Sequence, residues 1–204
     1  MSLLNAWIKP YEAIVAVDSD GVGQNGGRLP SSKLLVIPHL NVVLAVRGQA
    51  AFLSFVFTRC VSSGFDTFDA IVDAMPGVLG DADRLVPKEL IVGDYRLASG
   101  NELIATGWSD RMNKMLLMQY VRRDDMTEFS QRDVDYHIAP WSSDMVGCPT
   151  NSKSLERLSR LQIDWMRRID PNAACGGKLI VARVTRHSVS TKHEYDFQPS
   201  EVAA

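Results

Sequence analysis

The chain has 204 residues, of which 46% are apolar, 23% charged and 8% aromatic. That length suits one compact core, and that balance excludes a disordered or fibrous protein. Twenty-two Lys and Arg against 24 Asp and Glu leave a formal charge of −2, so no field gathers nucleic acid or an anionic membrane unspecifically. Cys60, Cys148 and Cys175 are odd in number and form no CxxC pair. They read as buried thiols in a reducing compartment rather than a disulfide framework or a zinc knuckle. No stretch approaches the roughly 20 apolar residues that span a bilayer, and the first residues lack the basic start and apolar run of an export signal. The expected location is the cytoplasm, with neither nucleic acid nor membrane as a partner.

Residues 1–11 read as an N-terminal arm whose Leu3, Leu4, Trp7 and Ile8 pack on their own subunit or on a neighbour. Residues 13–17 form the first expected strand, stopped by the turn formers Asp18, Ser19, Asp20 and Gly21. The chain reverses in the glycine-rich stretch 21–27. Strands over 33–37 and 42–46 follow, joined tightly through 38–41 as an antiparallel hairpin. Residues 49–61 are apolar on nearly every side, which suits a helix covered on two sides. A second, amphipathic helix over 66–75 takes Asp66 as N-cap, and Pro76 and Gly77 end or kink it. Strands are expected at 89–96 and 102–108, joined by a turn at 98–101. Residues 112–121 satisfy either period and read as strand because two hairpin strands precede them. Another short strand covers 136–139. The clearest helix runs over 152–169, with Leu155, Leu158, Leu161, Trp165 and Ile169 as a stripe. A last hairpin spans 178–186 and 189–197. Hairpins and few helices indicate an α+β protein with helices on both outer faces of paired antiparallel sheets.

Several motifs have plain explanations. Gly21, Gly23 and Gly26 match GxGxxG, but no helix N-terminus follows to hold a pyrophosphate, so the stretch reads as a turn. Asp18-Ser-Asp-Gly starts like a calcium loop, yet Leu29 occupies the twelfth position where a bidentate glutamate belongs, leaving a turn with solvated carboxylates. His39, His137, His187 and His193 have no helical i+4 partner and no HExxH, and read as surface or strand-end residues. Arg122-Arg123 and Arg167-Arg168 read as solvated faces. No metal or cofactor is expected.

Residues 32–53, Ser-Lys-Leu-Leu-Val-Ile-Pro-His-Leu-Asn-Val-Val-Leu-Ala-Val-Arg-Gly-Gln-Ala-Ala-Phe-Leu, resemble the proteasome subunits and the bacterial HslV peptidase, members of the N-terminal-nucleophile hydrolase fold. In that family a lysine opens a strand, a hairpin follows, a strand ends in Ala-x-x-Gly, and an Ala-rich helix begins at once. Residues 13–17 are similar to the family's first strand, so the likeness covers 12–121 and extends more weakly to the end. It implies one domain over 1–204 with a four-layer α-β-β-α sandwich of antiparallel sheets, and assembly into homo-oligomers such as rings. Gly176-Gly177 and the last hairpin are also similar to the ends of small prophage-type proteins.

The family's chemistry needs a Thr, Ser or Cys freed at the head of the first strand, with its own α-amine as base and a lysine that lowers the pKa values nearby. Lys33 falls where the resemblance puts that lysine; a strand-start lysine with its head in water is the other reading. Aligning 12–15 with the family's start places Glu12 at the attacking position, where no hydroxyl can act. Ser2 would reach Lys33 only if the intervening residues folded back. The sequence therefore leads to the expectation of a catalytically silent, proteasome-like homo-oligomer with a structural or interaction role and Lys33 as a catalytic remnant. Two alternatives stay open: an N-terminal-nucleophile amidohydrolase or threonine-type peptidase with an unrecognised nucleophile, and an unrelated α+β binding module.

Overall fold

The computed structural model describes residues 2–22, 27–85, 101–121, 129–143, 145, 147–171, 173 and 175–197. Its first element is a strand, Leu4–Lys9 (β1), which turns at Pro10 and Tyr11 into Glu12–Asp18 (β2). Asp20–Val22 (β3) and Arg28–Pro30 (β4) pair antiparallel, so the chain reverses between them, and β4 rather than a helix follows. Leu34–Ile37 (β5) and Val42–Arg47 (β6) come next, joined by a 3-10 turn in which Asn41 adopts the left-handed conformation. Two helices, Ala50–Ser62 (α1) and Phe68–Leu85 (α2), precede Glu102–Ser109 (β7), Lys114–Val121 (β8), Ser130–Asp133 (β9) and Tyr136–Ala139 (β10). Ser152–Ile169 (α3) then leads to Lys178–Thr185 (β11) and Val189–Asp196 (β12). The strand expected at 89–96 and the turn at 98–100 lie outside the described residues, as do Arg122 and Arg123.

Two five-stranded sheets result, ordered β10-β1-β2-β11-β12 and β5-β6-β7-β8-β9. All their pairings are antiparallel. Because successive side chains of a strand point to opposite faces, each sheet supplies two apolar layers. Leu4, Ala6, Val15 and Val17 meet Val43, Ala45, Ile104 and Leu117 of the other sheet. Leu44, Val46, Leu103 and Tyr120 pack instead with Phe52, Val56, Ile71 and Met75 of α1 and α2. Leu3, Trp7, Ile14 and Ala16 pack with Leu155, Ile163 and Met166 of α3. The fold is α+β.

The 152–169 helix is present over its whole expected span. It opens on a capping box in which Asn151 Oδ1 accepts from the Ser154 amide (2.9 Å) and Ser154 Oγ accepts from the Asn151 amide (3.0 Å). The second helix departs from expectation at both ends. Thr67, not Asp66, caps it, its Oγ1 accepting from the Ala70 amide at 3.1 Å. It also runs on through Pro76 to Leu85. An interior proline costs about 3 kcal/mol, yet the buried stripe Ile71, Met75, Val78, Leu79 and Ala82 continues beyond it, and each large apolar residue buried offsets about 1.5–3 kcal/mol. Strand β9 is a further element that the sequence pattern does not announce.

Two surface expectations need correction. Cys60 and Cys175 are buried, but Cys148 is exposed in the loop before α3. His39, His187 and His193 lie at the surface, whereas His137 is buried in β10. No described helix is long and apolar enough to cross a membrane.

Candidate functional site

The hairpin register fixes which residues meet at the open end of β1 and β2. Lys9 lies opposite Glu12 at the turn, and Leu4 lies opposite Val17 at the other end. Glu12 is thus at the head of the second strand, and Ser2 lies two residues before the first residue of β1, Leu4. Six residue steps, roughly 20 Å of strand, separate Glu12 from the end of β2 at Asp18. The intervening chain does fold back, as β1 and β2 themselves.

Asp18 organises this end. It is fully buried, contrary to the expectation of a solvated turn carboxylate. Its Oδ1 accepts from Lys33 Nζ and from the Leu3 amide, both at 2.8 Å, and its Oδ2 accepts from the Gly176 amide at 3.0 Å. Two donors on one oxygen can be separated by no more than twice that bond length, so the Lys33 ammonium stands close to the peptide that joins Ser2 to Leu3. Lys33 is itself buried, with 6% of its side chain exposed, so its head is not in water. Its carbonyl accepts from the Val46 amide at 2.9 Å, which ties it to β6. Among the described residues Asp18 is the sole hydrogen-bond acceptor on Lys33 Nζ, although an ammonium carries three donors.

Two glycines complete the geometry. Gly176 reaches Asp18 with φ at +128°, and a Cβ there would lie 2.7 Å from Arg167 Nη2. Gly48, directly after β6, has φ at +143°, and a Cβ there would collide with Asn101 Oδ1. That oxygen accepts from the Gln49 amide at 2.8 Å, at the start of α1.

The other sheet contributes Arg47, the last residue of β6. Its Nε donates to the Ser2 carbonyl oxygen at 3.1 Å and its Nη1 to Glu102 Oε2 at 3.2 Å. Leu4 and Ala6 face the other sheet.

None of the three thiols is an activated nucleophile. Burial pushes Cys60 up to about 11 and raises Cys148. Cys175, although beside the site, is raised by burial and then by the Asp18 charge. A raised thiol stays protonated and unreactive near neutral pH. Among the described residues no group of three or more His, Cys, Asp or Glu gathers in a way that could hold a metal ion.

Sequence patterns single out Lys33 but read Asp18 as a turn carboxylate. They do not single out Arg47, Glu102, His137 or Gly176, and they set Ser2 aside. What was available is the pair of apolar runs 3–8 and 13–17 on either side of Lys9-Pro10-Tyr11-Glu12, a hairpin whose open end carries Ser2 and Asp18.

No family model matches this chain, and no curated protein matches it in sequence. Among solved structures, an Anbu (Gly-1) mutant from Hyphomicrobium sp. strain MC1 is similar to it, with a TM-score of 0.64 at 14% identity over 97% of this chain and 89% of that one. The chain therefore has a proteasome-like fold.

Proposed function

We propose that the protein is an N-terminal-nucleophile amidohydrolase whose attacking group is the Ser2 hydroxyl, unmasked when the Met1–Ser2 peptide bond is cleaved. The observation that carries this reading is the shared Asp18 oxygen, which brings the buried Lys33 ammonium beside the peptide following Ser2. The ground for expecting a silent protein is Glu12 at the head of the first strand; the reading is supported by a strand, β1, that precedes Glu12, with Ser2 two residues before it. The freed α-amine takes the hydroxyl proton as Oγ bonds to the substrate carbonyl carbon and the C=O electron pair moves to oxygen. When that pair returns, the C–N bond breaks and the leaving amine takes the proton from the α-ammonium. Water then hydrolyses the Ser2 ester by the same relay. Lys33 holds a positive charge beside the amine, favouring its neutral form, and Asp18 holds Lys33 in place.

The wider assembly follows the same likeness. One domain over 1–204, arranged as a four-layer α-β-β-α sandwich, is supported by the three apolar layers between helices and sheets. A homo-oligomer is supported by the proteasome-like neighbour.

The test is turnover of a panel of fluorogenic peptide amides by protein whose N-terminus is established as Ser2 by intact mass. Turnover that is abolished in Ser2→Ala supports the reading. Turnover that survives Ser2→Ala, or a Ser2-initiated chain that cleaves none of the panel, overturns it in favour of the silent scaffold.

A further inference from the structure

Taking Ser2 as the nucleophile, we infer that Arg47 is a positioning residue for it: the guanidinium, braced by Glu102, clamps the Ser2 carbonyl from the opposite sheet. The starting point is that Ser2 has no strand partner of its own. Pairing of β1 with both neighbours begins at Leu4, opposite Val17 and Ala139, and a chain end beyond its last pairing frays unless something ties it down.

The peptide between Ser2 and Leu3 is tied from both sides. A trans amide points its oxygen and its N–H in opposite directions. Here the N–H goes to Asp18 Oδ1 in the first sheet (2.8 Å) and the oxygen receives Arg47 Nε from the second (3.1 Å). With that plane pinned, the amine and hydroxyl of Ser2 are left only rotations about its own Cα bonds. The gap between nucleophile and substrate then stays set, which matters because a misplacement of 1 Å can cost about 10²-fold in rate.

Arg47 is in turn held by a chain of groups that crosses the space between the sheets. Arg47 and Glu102 are a cross-strand pair of β6 and β7, joined at 3.2 Å and mostly buried. Behind Glu102 stands His137 of β10. Its Nδ1 contacts Gln119 Nε2 of β8 at 3.0 Å, and its Nε2, buried and without a hydrogen-bond partner, lies 3.7 Å from the carboxylate oxygen that Arg47 uses. If Gln119 donates to Nδ1, as its assigned amide orientation has it, the imidazole proton sits on Nε2 and faces Glu102. The Ser2 carbonyl is thereby connected through Arg47 and Glu102 to side chains of both sheets. Arg47 touches no reacting atom. It acts through the backbone of Ser2.

The probe is a peptide β-lactone, which acylates a reactive hydroxyl, followed by intact mass on the full chain. Wild type should gain one acyl group and Ser2→Ala none. Arg47→Ala should lower the maximal acylation rate about 10- to 100-fold while the half-saturating lactone concentration stays within about twofold, and Arg47→Lys or added ethylguanidine should recover part of it. Exposed Arg111→Ala should label like wild type. A maximal rate for Arg47→Ala equal to wild type, or a change in half-saturation alone, overturns the positioning role. Absence of any Ser2 adduct in wild type instead overturns the nucleophile reading. Hydrogen exchange separates the two cases: the Leu3 amide should exchange at least tenfold faster in Arg47→Ala, with the core amides of Val15 and Leu44 unchanged. An unchanged Leu3 amide removes the clamp, whatever the acylation result.

Discussion

The two ends of the β1–β2 hairpin use charge in opposite ways. At the turn, Lys9, Glu12 and Arg183 form a partly exposed cluster: Lys9 Nζ lies 2.8 Å and Arg183 Nη1 3.5 Å from the Glu12 carboxylate. At the open end, Lys33 and Asp18 are joined at the same 2.8 Å but with side chains 6% and 0% exposed. Equal geometry does not mean equal energetics. The outer cluster is screened by water, and such pairs contribute little, about 0.2–1 kcal/mol. Taking two charges out of water costs several kcal/mol each, and a well-packed apolar pair of the same volume would serve the fold as well or better. A buried ion pair at the head of a strand is therefore poor evidence of a need for stability. It fits a charge kept dry for a chemical purpose, namely holding an ammonium beside the Ser2–Leu3 peptide.

This contrast can be broken from either end. Asp18→Ala leaves the buried Lys33 ammonium without its partner and frees the amides of Leu3 and Gly176, so it should lower unfolding free energy by about 3–5 kcal/mol in a denaturant titration. A loss below about 1 kcal/mol would mean that the dry end behaves like the wet one. A smaller effect comes from His137, which burial holds below the usual imidazole value near 6.5, with Arg47 acting in the same direction and Glu102 opposing. Below about pH 6.5 the unfolded chain binds a proton that the folded chain refuses, so stability should rise with pH from the lowered folded value up to about 6.5 and gain nothing further from this group above it. His137→Gln should flatten that rise, read as the difference between urea midpoints at pH 5 and pH 7.5; an undiminished difference would remove His137 as its source. The smallest effect belongs to the turn. Glu12 is held below the usual carboxylate range chiefly by its hydrogen bond from Lys9, and its contribution is present above that range and lost as pH falls through its lowered value. Glu12→Gln should cost less than about 1 kcal/mol at neutral pH, and the loss should fade in high salt. A large salt-independent loss would erase the contrast.

The same hairpin explains what could be read from the residues alone and what could not. Helix α3 is plain because one face, with Arg157, Arg160 and Arg168, is wet, although the buried face holds Leu155, Leu158, Ile163 and Met166 while Leu161 and Ile169 of the expected stripe are exposed. Strands β5 and β6 are plain because Pro38 to Asn41 leave room only for a tight turn. Strand β1 is covered on both faces, Leu4 and Ala6 by the other sheet and Trp7 by α3, so it lacks the polar and apolar alternation that identifies a half-buried strand. Asn5 obscures it further. Its side chain is fully buried, and only the tertiary fold reveals its partner, Gln162 of α3, with which it exchanges hydrogen bonds of 2.7 and 2.9 Å. With β1 legible only as an apolar arm, β2 reads as the first strand, with Glu12 at its head. Lys33 stands out in the sequence because the lysine, hairpin, strand and Ala-x-x-Gly pattern is local. Arg47 and Glu102 meet only through the pairing of β6 with β7, and Ser2 reaches Arg47 only through the packing of one sheet on the other.

The most direct measurement is peptide mapping of protein treated with a peptide β-lactone. A single acyl group should sit on the Ser2 side chain of an N-terminal peptide that begins at Ser2, and Lys33→Met should form it at least tenfold more slowly. An N-terminus that retains Met1, an unmodified Ser2, or an adduct confined to another residue such as Cys175 would contradict Ser2 as the attacking group.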